Sequence, residues 1–183
     1  MDTAELAAVI ESLIFAAEKP LRLGQISELM EVDRNSVQAA LNVLDEKYNR
    51  LPGGIQLAEV AEGFQFRTRP EYAFWVRRAQ KRRMFRLSRA ALEILAIVAY
   101  RQPITRGEME QIRGVDCDGA LRTLLEKKMV RLCGKKEAPG RPLLYGTSSF
   151  FLETFGLRDL KELPDLRQIQ QLFPEGKGPR VDE

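Results

Sequence analysis

The chain has 183 residues, 44% of them hydrophobic, which suits one large domain or two small ones with a modest core in each. It contains no histidine, and this excludes the commonest general base, the commonest metal ligand and every histidine-containing triad. The net charge of +3 hides a division, because residues 1–76 are net −5, residues 77–89 are net +7 with no acidic side chain, and residues 90–183 are net +1.

The two cysteines, Cys117 and Cys133, have neither CxxC spacing nor companion ligands, so neither a disulfide framework nor a zinc site is expected. Asp2, Glu5 and Glu11 stand where a secretory signal would be basic, and no run approaches the roughly 18 apolar residues of a membrane span, which together predict a cytoplasmic protein without membrane contact. Gly53-Gly54 and the stretch from Gly134 to Gly140 lack the context of a phosphate-binding loop. No catalytic, metal-binding or cofactor-binding residue is assigned, and no cofactor is expected.

In chain order, Leu6, Val9, Ile10, Leu13, Ile14 and Ala17 follow helical spacing behind an acidic start, and Pro20 ends the run. Ile26, Leu29 and Met30 give a second helix, and Asp33 caps a third that carries Val37, Ala40, Leu41 and Leu44. After Pro52-Gly53-Gly54 the period changes to two through Ile55, Leu57 and Val60, then Phe64 and Phe66, which predicts a β-hairpin. Tyr72, Phe74, Trp75 and Val76 predict a short helix covering that sheet. The basic stretch Arg77, Arg78, Lys81, Arg82, Arg83, Arg86 and Arg89 reads either as a solvated connector or as a phosphate- or acid-binding strip, with Met84 and Phe85 as apolar anchors.

The plan then repeats. At an offset of 83, Pro20, Gly24, Ile26, Leu29, Val32 and Asp33 meet Pro103, Gly107, Met109, Ile112, Val115 and Asp116; one inserted residue later, Val37, Ala40 and Leu41 meet Leu121, Leu124 and Leu125. Ser88 caps a helix whose Leu92, Leu95, Ile97, Val98 and Tyr100 are nearly continuous in apolarity, which predicts burial on most sides. Thr105 and Glu108 form a capping box for the next helix, and Asp116 is expected to start the third. Met129–Cys133 and Leu143–Thr147 predict paired strands joined by a tip carrying Lys135, Lys136 and Arg141, and Phe150 to Leu157 a last short helix. Leu166, Ile169, Leu172 and Phe173 predict a short amphipathic tail helix suited to docking on a partner, and the polar stretch Pro174 to Glu183, with nothing to bury, is expected to be disordered. The fold class is therefore mainly α with small β-hairpins (α+β), as two tandem winged-helix (helix-turn-helix) domains: residues 1–80, a basic linker 81–89, a second domain 90–166, and a tail 167–183.

The run LSRAALEILAIVAYRQPITRGEMEQIRGV from Leu87 to Val115 resembles the signature of the segregation and condensation protein B family. GALRTLLEKKMV from Gly119, GRPLLYGT from Gly140, FLETFGL from Phe151 and IESLIFAAEKPLRLGQI from Ile10 are similar to its other blocks, so that the resemblance spans residues 6 to 166. It implies a non-catalytic homodimer of the bacterial SMC complex that binds the kleisin ScpA, dimerising mainly through the first domain and holding the kleisin largely through the second.

The kleisin contacts expected on that basis are Tyr100, Arg101, Gln102, Arg106, Arg113, Arg122, Arg141 and Tyr145. Several of these residues also have plainer readings. Arg113-Gly114 ends a helix, Arg101, Gln102, Pro103 and Arg106 punctuate a turn, and Tyr100 and Tyr145 suit a core whose hydroxyls reach the surface. Phe64, Phe66, Phe74 and Trp75 are expected either in the first core, for at least two of them, or at the dimer surface. Arg77, Arg78, Lys81, Arg82, Arg83, Lys135 and Lys136 could touch DNA weakly and without sequence preference. The rival reading is a winged-helix transcription regulator. Against it, the third helix of the second unit opens with Asp116 and Asp118, which would face phosphates.

Overall fold

The structure, a computed structural model, describes residues 2–80 and 86–165. Asp2 caps α1 (Thr3–Ala16) by accepting from the Glu5 amide at 2.7 Å, and the helix buries one stripe of Leu6, Ala7, Ile10 and Ile14. That stripe meets Ile26 of α2 (Leu23–Met30) and Val37, Ala40, Leu41 and Leu44 of α3 (Arg34–Asp45) in one apolar cluster. Asp33 caps α3 as expected, accepting from the amides of Asn35 and Ser36 at 3.0 Å each. A π-helical turn, Glu46–Arg50, follows. There the Asn49 amide brackets Leu57, donating to its carbonyl at 2.8 Å and accepting from its N–H at 2.9 Å, which ties the helices to the hairpin.

The hairpin is β1 (Ile55–Val60) and β2 (Gly63–Thr68), in register from Ile55 opposite Thr68 to Val60 opposite Gly63. Its two-residue turn, Ala61-Glu62, has φ of 50° and 62°, the left-handed pair that matches the twist of antiparallel strands. Phe64 and Phe66 pack against the first core. The helix α4 (Ala73–Gln80) forms where the sequence placed it but does not cover the sheet. Phe74 and Trp75 are 59% and 63% exposed and stack edge to face at 5.2 Å, because α1 and α3 already fill the space over β1 and β2.

The second unit follows the same order. Ser88 caps α5 (Arg89–Arg101), Thr105 and Glu108 close the capping box of α6 (Arg106–Arg113), and Gly114, at φ 73°, ends it as its missing Cβ allows. The third helix, α7 (Asp118–Glu126), begins one residue later than expected, with Cys117 at the cap position. The Asp116 carboxylate instead accepts from the Asp118 amide at 3.3 Å. Strand β4 (Val130–Lys135) pairs with β5 (Leu143–Thr147), and β5 also pairs with the two-residue β3 (Ile104–Thr105). Ser148 caps α8 (Ser149–Phe155).

A second apolar cluster, from Ala91 and Ile94 through Met109 and Leu124 to Phe151, is separate from the first. The repeat read in the sequence holds in space. Helices α2 and α6 lie 83 residues apart at both ends, Ile26 and Met109 are each fully buried, and the isolated bridge from Leu21 to Phe64 matches the pairing of Ile104 with Tyr145. Leu29 and Ile112 also match, but as exposed residues.

The two units touch through the first hairpin. The N–H groups of Ala61 and Glu62 donate to the carbonyls of Leu157 and Arg158 at 2.9 Å each, and Arg67 donates to the Glu153 carbonyl at 2.7 Å. That places a cation at the carboxyl end of α8, where unpaired carbonyls favour positive charge.

Candidate partner surfaces

The expected contact residues of the second unit fall into two groups. Arg101, Arg106, Arg122 and Arg141 are exposed. Arg106 is the best organised of them, donating to Glu110 at 2.6 Å, to Asp118 at 2.6 Å and to Asp116 at 2.8 Å. Its guanidinium holds the Glu110 carboxyl below the usual carboxylate range, through their hydrogen bond first. Arg122 pairs with Glu126 at 3.5 Å, and Arg141 sits at the β4–β5 tip with φ 43°. Arg113 is mostly covered, bonding Glu93 at 3.0 Å beside the helix end that Gly114 makes.

One expected contact belongs to the interior instead, and a second is only partly exposed. Tyr145 is only 8% exposed, because β3 crosses β5 at that residue and seals it into the second core. Gln102 is committed internally, its Oε1 accepting from the Thr147 amide at 2.7 Å and from the Thr147 hydroxyl at 3.0 Å, and its Nε2 donating to Ala99. Tyr100 is half-buried, with its hydroxyl donating to the Pro164 carbonyl at 2.6 Å. Of the aromatic residues expected at a dimer surface, Phe64 and Phe66 are core-packed while Phe74 and Trp75 face outward.

Among the basic residues, Arg77 and Arg78 are exposed on α4, and Lys135 is exposed on β4. Lys81, Arg82, Arg83, Met84 and Phe85 lie outside the described residues, as do the expected tail helix and polar end. Lys136, also exposed, pairs with Glu108 at 2.5 Å, and this pairing, with the Thr105 hydrogen bonds, lowers the Glu108 carboxyl to about 2.

The opening of α7 is acidic. Arg106 neutralises one of three carboxylates, leaving Glu110, Asp116, Asp118 and Arg106 at a combined formal charge of −2 where a reading helix would meet phosphates. In the first unit Gln38 and Asn42 hydrogen-bond to each other at 3.0 Å, and both line a cleft shared with Gly156 and Arg158 of the second unit. These two amide side chains are partly turned toward the neighbouring unit.

Sequence reasoning passed over one surface. Leu92, Ala96 and Phe155 leave an apolar groove open between α5 and α8. The long apolar run of α5 was the available signal, since it holds more apolar residues than one buried face needs.

Among the described residues no group of three or more acidic or thiol side chains could hold a metal ion, and no helix is long and apolar enough to cross a membrane. The molecule offers outward arginines, an exposed aromatic pair and an apolar groove, which are features of a protein that acts through surfaces. The chain matches the family model for the segregation and condensation complex subunit ScpB over residues 8–166, and it belongs to that family.

It is 52% identical over 178 residues to segregation and condensation protein B of Syntrophotalea carbinolica, covering 97% of this chain and 90% of that protein. The protein of the same name from Myxococcus xanthus is 46% identical over 175 residues, covering 96% of this chain and about half (53%) of the relative. Among solved structures, a dimer of an ScpB N-terminal domain complexed with an ScpA peptide is 30% identical, with a TM-score of 0.39, covering 41% of this chain and 94% of that one.

Proposed function

We propose that the chain is a non-catalytic accessory subunit of a bacterial SMC–kleisin complex, working in the cytoplasm on the nucleoid and supporting chromosome condensation and segregation. Its two units, residues 1–80 and 90–166, are winged-helix domains: the first joins two copies and the second holds the kleisin ScpA, through which the SMC protein is reached. The observation that carries this reading is the family match over residues 8–166, which takes in the second apolar cluster and all of the first but Leu6 and Ala7, and not one motif alone.

The surfaces support it. Phe74 and Trp75 suit a self-complementary patch, since buried aromatics dominate such interfaces. Arg101, Arg106, Arg122 and Arg141 supply the arginine anchors of the second unit. DNA contact, from Arg77, Arg78 and Lys135, is weak and salt-dependent in this reading.

The test is co-purification with the kleisin of the same organism. Wild-type chain should retain it, Arg122→Glu with Arg141→Glu should weaken retention at least tenfold, and Phe74→Ala with Trp75→Ala should shift sedimentation from dimer toward monomer. Tight, sequence-selective DNA binding without kleisin association would reverse the assignment in favour of a transcription regulator.

A further inference from the structure

The turn of the first hairpin is built from two residues that do not favour its conformation. Ala61 and Glu62 stand at φ of 50° and 62°, in the left-handed region, where a two-residue turn of this kind ordinarily takes Asn-Gly. A residue with a Cβ is disfavoured there, and such backbone persists only where its surroundings hold it. Here the surroundings belong to the other unit, since the N–H groups of Ala61 and Glu62 donate to the carbonyls of Leu157 and Arg158, just past the end of α8. The Glu62 carboxylate takes no part and pairs with Arg22 of its own unit at 3.5 Å.

The contact that holds the turn is small. Val60 and Ala61 are buried, yet neither belongs to either apolar cluster. Two open clefts of about 650 and 480 Å³ adjoin the contact and carry charged side chains from both units, Arg22 and Lys161 in the larger and Asp45 and Arg158 in the smaller. Arg67, partly buried, reaches the Gln65 side chain and the Glu153 carbonyl and holds no ion pair among the described residues. A guanidinium covered by neutral oxygens regains water when the units part. Domains joined by so small and polar a contact move relative to one another.

We propose that this turn is a latch set by the second unit: the carbonyls past α8 hold Ala61-Glu62 in a conformation the pair does not keep alone, so that the units part transiently as the turn relaxes and rejoin as it re-forms. The docked arrangement is the resting one. Opening changes the distance between the exposed Phe74 and Trp75 of one unit and the outward arginines of the other while both cores stay folded. The inference goes beyond the proposed function, since it needs neither kleisin nor dimer.

The experiment is amide hydrogen exchange on the full chain. In the unsubstituted protein the amides of Ala61 and Glu62 should exchange at least a hundredfold faster than those of Leu41 and Leu124 in the two cores. Their rate should also respond little to dilute urea, because opening exposes far less surface than unfolding a unit. Exchange at the core rate, with the urea dependence of the cores, would show the units to be one block and overturn the proposal.

Two sets of substitutions test whether the second unit sets the turn. Gly156→Val removes the residue whose φ of 69° ends α8 and should speed exchange at Phe64, whose N–H donates to Leu21 within the first unit, at least tenfold. The reading is the same whether that substitution shifts the end of α8 or unfolds the second unit, since either takes the carbonyls from the turn. Adding Ala61→Asn with Glu62→Gly, the pair that keeps this turn alone, should return Phe64 to within about twofold of its original rate. A Phe64 amide indifferent to Gly156→Val, or one that the Asn-Gly turn does not restore, would leave the turn independent of docking and sink the idea.

Discussion

The two units share a plan at an offset of 83 residues and use its hairpin in opposite ways. In the first, the turn Ala61-Glu62 is two residues long and faces inward, its N–H groups spent on the carbonyls of Leu157 and Arg158. In the second, the connection between β4 and β5 is longer, faces outward, and carries Lys136 and Arg141. The apolar positions that build each core are matched, while loop length and end chemistry decide whether a ribbon becomes a strut between units or an exposed arm. Duplication of a scaffold thus fixes the packing and leaves the edges free to differ.

The largest effects should come from the matched cores. Ile26→Ala and Met109→Ala each remove a fully buried side chain and should cost about 2–5 kcal/mol. Because the clusters are separate, Ile26→Ala should lower hydrogen-exchange protection in α3 well before α7, and Met109→Ala the reverse. Equal loss in both helices from either substitution would mean that the units unfold as one, and the comparison of two cores would fail.

Next come two glycines beside the matched bridges. A Cβ on Gly63 would stand 2.9 Å from the Leu21 backbone, whereas one on Gly146 would meet side-chain ends, Cys133 Sγ at 2.7 Å and Gln102 Oε1 at 2.8 Å. Gly63→Ala should therefore cost about 1–3 kcal/mol by urea unfolding, and Gly146→Ala less, since side chains yield more readily than backbone. The reverse order would show that the Gln102 bracket on Thr147 is the stiffer of the two features.

Arg67→Ala tests the inward strut. It removes a charged donor to the end of α8 and should cost about 1 kcal/mol. The more telling readout is local: exchange of the Ala61 and Glu62 amides should rise, with the β4–β5 tip unaffected.

Much of this architecture was legible in the sequence. Helical spacing, the Asp33 and Ser88 caps, the Thr105–Glu108 box and the period-two hairpin are local signals, and the offset of 83 placed α6 from α2. What escaped depends on partners distant in the chain. The pairing of Leu21 with Phe64 and the two-residue β3 have no periodicity to read, and it is β3 that takes Tyr145 out of the surface and into the core. Gln102 looked like a turn residue because Thr147, its partner, is 45 positions away. The outward aspect of Phe74 and Trp75 follows from α1 and α3 having already filled the space over the first sheet, a competition no single segment records. Of the expected contact set, the arginines other than Arg113 stayed at the surface because long charged side chains do so in almost any fold.

The smallest effect separates the outward arm from the inward one by its pH dependence. Lys136 anchors the β4–β5 tip to Glu108, whose carboxyl lies at about 2 in the folded chain against an ordinary value of 4.5. A carboxyl depressed by folding stabilises fully above its unfolded value and loses that contribution as pH falls through the folded one. The tip should therefore stay docked at pH 5 and above and release progressively between about 4.5 and 2. The inward hairpin is held mainly by backbone carbonyls and a guanidinium, groups that do not titrate there, beside a looser Glu59–Arg158 ion pair at 3.9 Å. Amide chemical shifts followed through acid should show Lys136 and Glu108 moving together while Ala61 and Glu62 keep their hydrogen bonds until the domains unfold. In Lys136→Met the Glu108 titration should move upward but remain below 4.5, because the Thr105 N–H and hydroxyl still donate to its carboxylate. A Glu108 titration unchanged by that substitution would assign the depression to the capping box alone, leaving the tip of the second hairpin untethered.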